Sequence, residues 1–240
     1  MLSLARESSP DMQHLVFSER KAADLIEAHY TDREVAAFAA CAVPAMQADY
    51  FRYCAIHTLG GVYCDADSRC SGSLMPLLQS SGILFKGSVP GSITNHLFAF
   101  REPGHPLLKL AIDIATAGIE SRFSESIVLV TGPRVFWTLA AILRIGSLDT
   151  FIERVNVFFD AHPEAKDLEQ VQLVDRERMH VYLESIREAI GDHARVAAAF
   201  EAVRVLPNAE IPTIVGGGGS HLAYKKTTDH FPNWPGSIYR

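Results

Sequence analysis

A helix that ends at a glycine pair and leads into a strand and two aspartates is the feature that most constrains this fold. Residues 44–59 read PAMQADYFRYCAIHTL, in which Pro44 suits the first helical turn. The glycine pair 60–61 breaks the helix, residues 62–64 predict a short strand, and Asp-Ala-Asp follows at 65–67. A helix and a strand joined this closely favour an α/β protein.

The remaining chain alternates between segments of helical and strand pattern. We predict helices over residues 18–29, 32–40, 105–118, 134–144 and 176–190, and strands over 82–86, 96–101, 155–159 and 203–206. Four glycines at 216–219 predict a mobile loop. A phosphate-binding loop is disfavoured because no helix or lysine directly follows them, so a lid hinge is the favoured interpretation. The interleaved order predicts an α/β fold, and 240 residues suit a single domain, 1–240.

Composition narrows the class of partner and the compartment. A net charge of −6 and the lack of a long Lys/Arg run make nucleic acid an unfavourable partner. The spacings of the four cysteines fit neither a zinc site nor a disulfide framework, which favours reduced thiols in the cytoplasm. We expect no transmembrane segment, because no apolar run approaches the roughly 18 residues that a span needs. The first residues also lack the pattern of a signal peptide.

Asp65 and Asp67 lie at i and i+2 after a predicted strand, so in a turn both can face one hard cation such as Mg²⁺ or Mn²⁺. A calcium loop is disfavoured, since Cys70 and Pro76 stand where it needs glycine and glutamate. An aspartyl-phosphate phosphatase is disfavoured by Arg69, four residues after the first aspartate. The sequence contains no Walker loop and no GxSxG elbow.

The wider context of this motif is more specific. Residues 49–53 and 59–67 resemble the glycosyltransferases with a DXD sugar-binding region, which include the yeast initiating mannosyltransferase type and bacterial capsule transferases. The family signature is Asp-x-x-Arg on a helix followed by Gly-Gly-x-Tyr-x-Asp-x-Asp, and every position is matched. Residues 95–106, the Thr-Gly-Pro turn at 131–133 and the tail at 229–237 resemble later family segments.

The resemblance implies a GT-A fold, with a mostly parallel sheet flanked by helices and the nucleotide at the carboxyl ends of the strands. Residues 1–137 would form the donor and metal core, and 138–240 the acceptor side and closing segment. We expect the family's opening strand to be missing, because the chain begins near the element that follows it.

The resemblance also implies roles for individual residues. Asp67 would bind the metal directly, and Asp65 would contact the ribose, the sugar or the metal through water. The residues implied to bind substrate are Asp49, Arg52, Tyr63, Asn95, Trp234 and Ser237. His230 would complete the metal or diphosphate shell, with His221 as the competing candidate. The alternatives are a core role for Tyr63 and an exposed helical ion pair between Asp49 and Arg52, which would stabilise by about 0.3–0.5 kcal/mol.

The function implied is retaining transfer of a hexose from a UDP- or GDP-sugar to a hydroxyl of a glycan, lipid-linked or protein acceptor. Mn²⁺ or Mg²⁺ would be the cofactor, and surface glycan or polysaccharide synthesis the setting. The alternative is a truncated or inactive relative that binds a sugar nucleotide or a partner without turnover.

Overall fold

A computed structural model describes residues 9–65, 68–70, 72–87, 92–161, 174–207, 214–216 and 237–240. The candidate site residues Asp67, His221, His230 and Trp234, and most of the glycine run, lie outside these residues.

The three N-terminal helices were predicted closely, because Ser18, Pro44 and Gly60 stand at positions that these residue types favour at helix ends. They are α1 (Glu19–His29), α2 (Asp32–Ala40) and α3 (Pro44–Leu59). Ser18 caps α1 by accepting a hydrogen bond from the backbone N–H of Lys21 at 3.4 Å. Gly60 ends α3 with φ at 67°, and a Cβ there would lie 2.8 Å from the carbonyl oxygen of Arg101. Only glycine therefore fits this sharp turn from helix into strand.

The described strands form two small sheets. They are β1 (Gly61–Cys64), β2 (Ser68–Cys70), β3 (Gly82–Lys86), β4 (Ile93–Phe100), β5 (Val203–Leu206) and β6 (Ile214–Gly216). One sheet has the order β1-β4-β3-β5, and β2 pairs with β6 in the other. The pairings β1–β4 and β4–β3 are antiparallel, whereas β3–β5 is parallel. The α/β class is confirmed, but the described strands form a mixed sheet, so a mostly parallel one is not confirmed.

The direction of these strands follows from the connections between them. Parallel neighbours need a crossover of about a dozen residues or more, whereas β3 and β4 are joined by the short segment 87–92. The parallel partner of β3 is β5, which follows a long helical region. In the described residues β1 is the first strand, and residues 1–8 lie outside them.

Six more helices surround the sheet within the described residues. They are α4 (Pro106–Ser121), α5 (Ile127–Val130), α6 (Arg134–Ile145), α7 (Leu148–Ala161), α8 (Arg176–Ile190) and α9 (His193–Phe200), with a 3₁₀ helix at Met75–Gln79. The predicted strand at 155–159 is wrong, because these residues lie within α7. Phe151, Ile152 and Val155 follow helical spacing onto the core, while Val157 is 59% exposed.

The core has two parts, one on each face of the larger sheet. Leu84, Phe98 and Phe100 face the main core, which α3 and α6 cover and which α4 extends. Phe85 and Leu97 face a smaller cluster under the 3₁₀ helix. This arrangement fixes α3 against β1 and β4, the elements that carry most of the predicted site.

Helices α6 and α7 are the helices to consider as a membrane span. Among the described residues, no single helix is both long and apolar enough to cross a membrane. Residues Arg134–Ile145 and Leu148–Phe158 meet the length and composition test only together, across a bend of 114°.

The C-terminal residues return to the N-terminal helices. Tyr239 forms a β-bridge with Cys41, and the backbone N–H of Arg240 donates to the carbonyl of Ala40 at 2.8 Å. The Tyr239 hydroxyl donates to the carbonyl of Ser124 at 2.7 Å. The C-terminal residues are therefore joined to the end of α2 by backbone hydrogen bonds and to residue 124 by a side-chain hydrogen bond.

Candidate functional site

Helix α3 and the strands β1 and β4 bring five of the predicted site residues together. Asp49 and Arg52 lie one turn apart on α3, Tyr63 lies in β1 and Asn95 in β4. Asp65 comes directly after β1 and continues its pairing, since its backbone N–H donates to the carbonyl of His96 at 3.0 Å. The short connection between α3 and β1 thus places both halves of the signature beside β4.

Arg52 is the centre of this group, and its side chain is only 6% exposed. Its Nη2 lies 2.6 Å from Oδ1 of Asp49 and 3.3 Å from Oδ1 of Asp65. Its Nη1 donates to the backbone carbonyl of Asn95 at 2.7 Å, and its Cζ lies 4.7 Å from the centre of the Tyr63 ring. The alternative of an exposed helical ion pair is wrong, because this guanidinium is buried between two carboxylates.

Tyr63 combines the two roles that the sequence left open. Its ring stacks on Phe98 at a centroid distance of 5.5 Å, which is a core contact. Its hydroxyl donates to Oδ1 of Asp65 at 2.8 Å, which is a site contact. Burial raises the pKa of Tyr63 well above its usual value, so the phenol stays protonated and remains a donor.

Asn95 connects the group to a residue that sequence reasoning missed. Its Nδ2 donates to Oδ1 of Asp49 at 3.0 Å and to the hydroxyl of Tyr53 at 3.2 Å. Tyr53 in turn donates to the backbone carbonyls of Thr131 and Gly132, at 2.8 and 3.1 Å. Its position, one helical turn after Asp49, was a signal that could have found it. We call Asp49, Arg52, Tyr53, Tyr63, Asp65 and Asn95 the Arg52 network.

Thr131, whose backbone carbonyl accepts from Tyr53, also allows a test of how its own side-chain hydroxyl affects stability. Thr131 is fully buried, and its Oγ1 has no hydrogen-bond partner among the residues that the structure describes. We expect Thr131→Val to keep the shape, remove an unpaired hydroxyl and raise the free energy of unfolding by about 1 kcal/mol. Denaturant unfolding of the purified variant measures this change.

The matched control is Thr116→Val in α4. Thr116 is equally buried, but its Oγ1 lies 2.7 Å from the Tyr50 hydroxyl. The change leaves that hydroxyl unpaired, so stability should fall by about 1–3 kcal/mol. Equal losses in both variants would contradict the unpaired state of Thr131.

The Arg52 network holds two carboxylates and one guanidinium close together. Burial raises the pKa of Asp49 to about 6, Arg52 opposes this rise, and Asp65 adds to it. Burial lowers the pKa of Arg52, but Asp49 and other nearby groups outweigh that effect and raise it, so the guanidinium stays charged. With both carboxylates ionised, the trio of Asp49, Asp65 and Arg52 carries one net negative charge. A further carboxylate from Asp67 would add to it.

Asp65 is the predicted metal ligand that the structure describes. Its side chain is 30% exposed, and its Oδ1 is engaged by Tyr63 and Arg52. Its Oδ2 makes no hydrogen bond or ion pair with any described residue. A carboxylate oxygen suits the hard cations Mg²⁺ and Mn²⁺. The described residues contain no group of three or more metal-ligating side chains, and the predicted ligands Asp67 and His230 lie outside them.

Ser237, which was predicted to bind substrate, contacts Glu125. Its hydroxyl donates to both carboxylate oxygens of Glu125, at 3.2 and 3.1 Å, and Glu125 also accepts from the N–H of Ile238 at 3.1 Å. These contacts are made with Glu125, which is not part of the Arg52 network. They anchor the C-terminal segment to the turn before α5.

Comparison with known families matches the part of the chain that holds most of this network. Residues 2–83 match the family described as the glycosyltransferase sugar-binding region containing the DXD motif. These residues resemble a glycosyltransferase sugar-binding region. The family predicted from the sequence is thereby confirmed, and the match supports glycosyl transfer in general.

The sugar-binding region holds Asp49, Arg52, Tyr63 and both aspartates of the motif, whereas Asn95 lies beyond it. No curated protein and no solved structure matches the chain. Asn95 is therefore assigned to the site only by its hydrogen bond to Asp49, and not by the family match.

Proposed function

We propose that this protein transfers a hexose from a UDP- or GDP-sugar to an acceptor hydroxyl with retention of anomeric configuration. The observation that carries the proposal is the Arg52 network, in which the helical and strand halves of the signature meet at Asp65. Within the matched family, a sugar-binding region implies a nucleotide-sugar donor.

The donor sugar would bind to Asp49, Arg52 and Asn95. Asp49 offers carboxylate oxygens that accept from sugar hydroxyls, and Arg52 offers a planar set of donors. Both hydrogens of the Asn95 amide are already used by Asp49 and Tyr53, so its oxygen is the atom available to a ligand hydroxyl. These groups are buried and held in place, so they need little reorganisation to bind a sugar.

Asp65 and Asp67, with His230 or His221, would hold a divalent ion such as Mn²⁺ or Mg²⁺. The ion would offset the negative charge of the departing diphosphate. Tyr63 and Arg52 would keep Asp65 oriented through its Oδ1, which leaves Oδ2 for the ligand side.

We infer a front-face displacement for the transfer, because the sequence assigns no glutamate or aspartate as a covalent nucleophile. The acceptor oxygen forms a bond to the anomeric carbon while the bond between that carbon and the diphosphate oxygen breaks. The acceptor proton passes to the diphosphate. The acceptor would be recognised by residues 138–240, and surface glycan synthesis in the cytoplasm is the setting we propose.

Thermal unfolding with UDP, GDP and their common hexose conjugates tests the proposal, each with Mn²⁺ and with EDTA. We expect one nucleotide series to raise the Tm in Mn²⁺ and not in EDTA, because a ligand that binds only the folded state stabilises it. The absence of any shift in all conditions would reject the donor site. A shift without glycosyl transfer to any acceptor would favour the non-catalytic alternative.

A further inference from the structure

The Tyr53 hydroxyl joins the donor site to a turn that is far away in sequence. Its oxygen accepts from Nδ2 of Asn95 at 3.2 Å, and its hydrogen is shared between the carbonyls of Thr131 at 2.8 Å and Gly132 at 3.1 Å. Tyr53 is fully buried. These bonds therefore persist without competition from water.

The Tyr53 ring does not depend on the hydroxyl for its position. It stacks on Phe98 at 6.2 Å and meets the edge of Phe136 at 5.2 Å, so two aromatic contacts hold it in the core. The ring packing and the hydroxyl bonds can therefore be separated by substitution with phenylalanine.

The hydroxyl fixes the orientation of the Asn95 amide. One hydrogen of Nδ2 goes to Asp49 and the other to Tyr53, which uses both donors of the amide. With both donors occupied, the side-chain oxygen of Asn95 points away from these partners, and no described residue donates to it. Without the hydroxyl, one donor loses its partner and the amide loses one of its two restraints.

We propose that Tyr53 is a positioning residue for the donor sugar. Its hydroxyl orients the amide of Asn95 and, through Asn95, the carboxylate of Asp49. This inference rests on the proposed function. It adds that the turn at Thr131 and Gly132 is the support from which the sugar ligands are held. The effect is specific to the sugar, because Asn95 and Asp49 are assigned to sugar hydroxyls and not to the nucleotide.

The test is Tyr53→Phe, read as the ratio of the Kd of the free nucleoside diphosphate to the Kd of its hexose conjugate in Mn²⁺. A general loss of stability weakens both ligands alike and leaves this ratio unchanged. We expect the ratio to fall about fivefold, roughly 1 kcal/mol, as for the loss of one oriented hydrogen bond. Calorimetric titration of wild-type and variant protein measures both constants.

The matched control is Tyr50→Phe. Tyr50 is also fully buried on α3, and its hydroxyl lies 2.7 Å from Oγ1 of Thr116, outside the Arg52 network. This variant should lose stability but keep the wild-type ratio. If Tyr53→Phe alone is too unstable to purify, the same change is made together with Thr131→Val, which leaves the accepting carbonyls in place.

The outcomes separate the two claims. A lower ratio in Tyr53→Phe alone supports the positioning role. An unchanged ratio in a protein that binds the hexose conjugate overturns that role and leaves the donor site standing. A wild-type protein that binds no nucleotide rejects the proposed function and the role of Tyr53 with it.

Discussion

Replacing Arg52 with leucine should lower the free energy of unfolding by about 3–5 kcal/mol at neutral pH, because it leaves a buried carboxylate without its cation. Asp49 is the carboxylate concerned, with a side chain only 12% exposed and an oxygen 2.6 Å from the Arg52 guanidinium. The loss should shrink in acid. Burial already raises the pKa of Asp49, so without Arg52 the carboxyl takes up a proton and becomes neutral as the pH falls.

Two further variants test whether the loss of stability comes from the unpaired buried charge of Asp49. Asp49→Asn combined with Arg52→Leu removes both charges and should recover a large part of the loss. Arg33→Leu breaks the pair between Arg33 and Glu120, which has a comparable distance of 2.7 Å but side chains 45% and 43% exposed, and should cost no more than about 1 kcal/mol. Similar losses for Arg52→Leu and Arg33→Leu in urea unfolding would show that burial of the Arg52 pair is unimportant.

Replacing Asp67 with asparagine should lower glycosyl transfer by about 100-fold or more, since a neutral amide is a poorer ligand than a carboxylate for a hard cation. The thermal stability of the protein without ligands should stay close to wild type. The stabilisation by nucleotide sugar that requires Mn²⁺ should disappear. Transfer assays and thermal unfolding across a Mn²⁺ titration measure the two effects.

Asp149→Asn is the matched control for the change in charge. Asp149 lies on α7 with its side chain 84% exposed and pairs with Arg187 at 3.2 Å. It should retain wild-type transfer and wild-type Mn²⁺ dependence. Donor affinity that Asp67→Asn leaves unchanged at every Mn²⁺ concentration would remove Asp67 from the metal site.

Local signals predicted the parts of the fold that local chemistry decides. The bounds of α3 followed from Pro44 and Gly60, and those of α8 and β3 were also predicted. The segment 155–159 was misread because valine and phenylalanine favour strands, whereas packing of Phe151 and Val155 on the core selected a helix. The directions of the strands depend on tertiary connections and could not be predicted from local pattern.

The site also contains residues that local spacing predicted and contacts that only the tertiary fold determines. Asp49, Arg52, Tyr63 and Asp65 were predicted because their spacing within one helix–strand unit carries the family signature. The burial of Arg52 between two carboxylates was not predicted, because it depends on the position of β4 beside α3. Tyr53 lies one helical turn after Asp49, which is a local signal, but its contacts with Thr131 and Gly132 join distant parts of the chain and could not be predicted from spacing.

The strand pairings also bear on how the site is made during synthesis. The family match ends at residue 83, inside β3, yet β1 pairs with β4, β3 with β4 and β5, and β2 with β6 at Ile214–Gly216. A nascent chain that has just exposed both aspartates still lacks β4 and β6, the strands with which β1 and β2 pair on either side of the motif. Contacts so distant in sequence are formed slowly and late. We therefore expect the acidic motif to remain open to solvent and to proteases until almost the whole chain has left the ribosome.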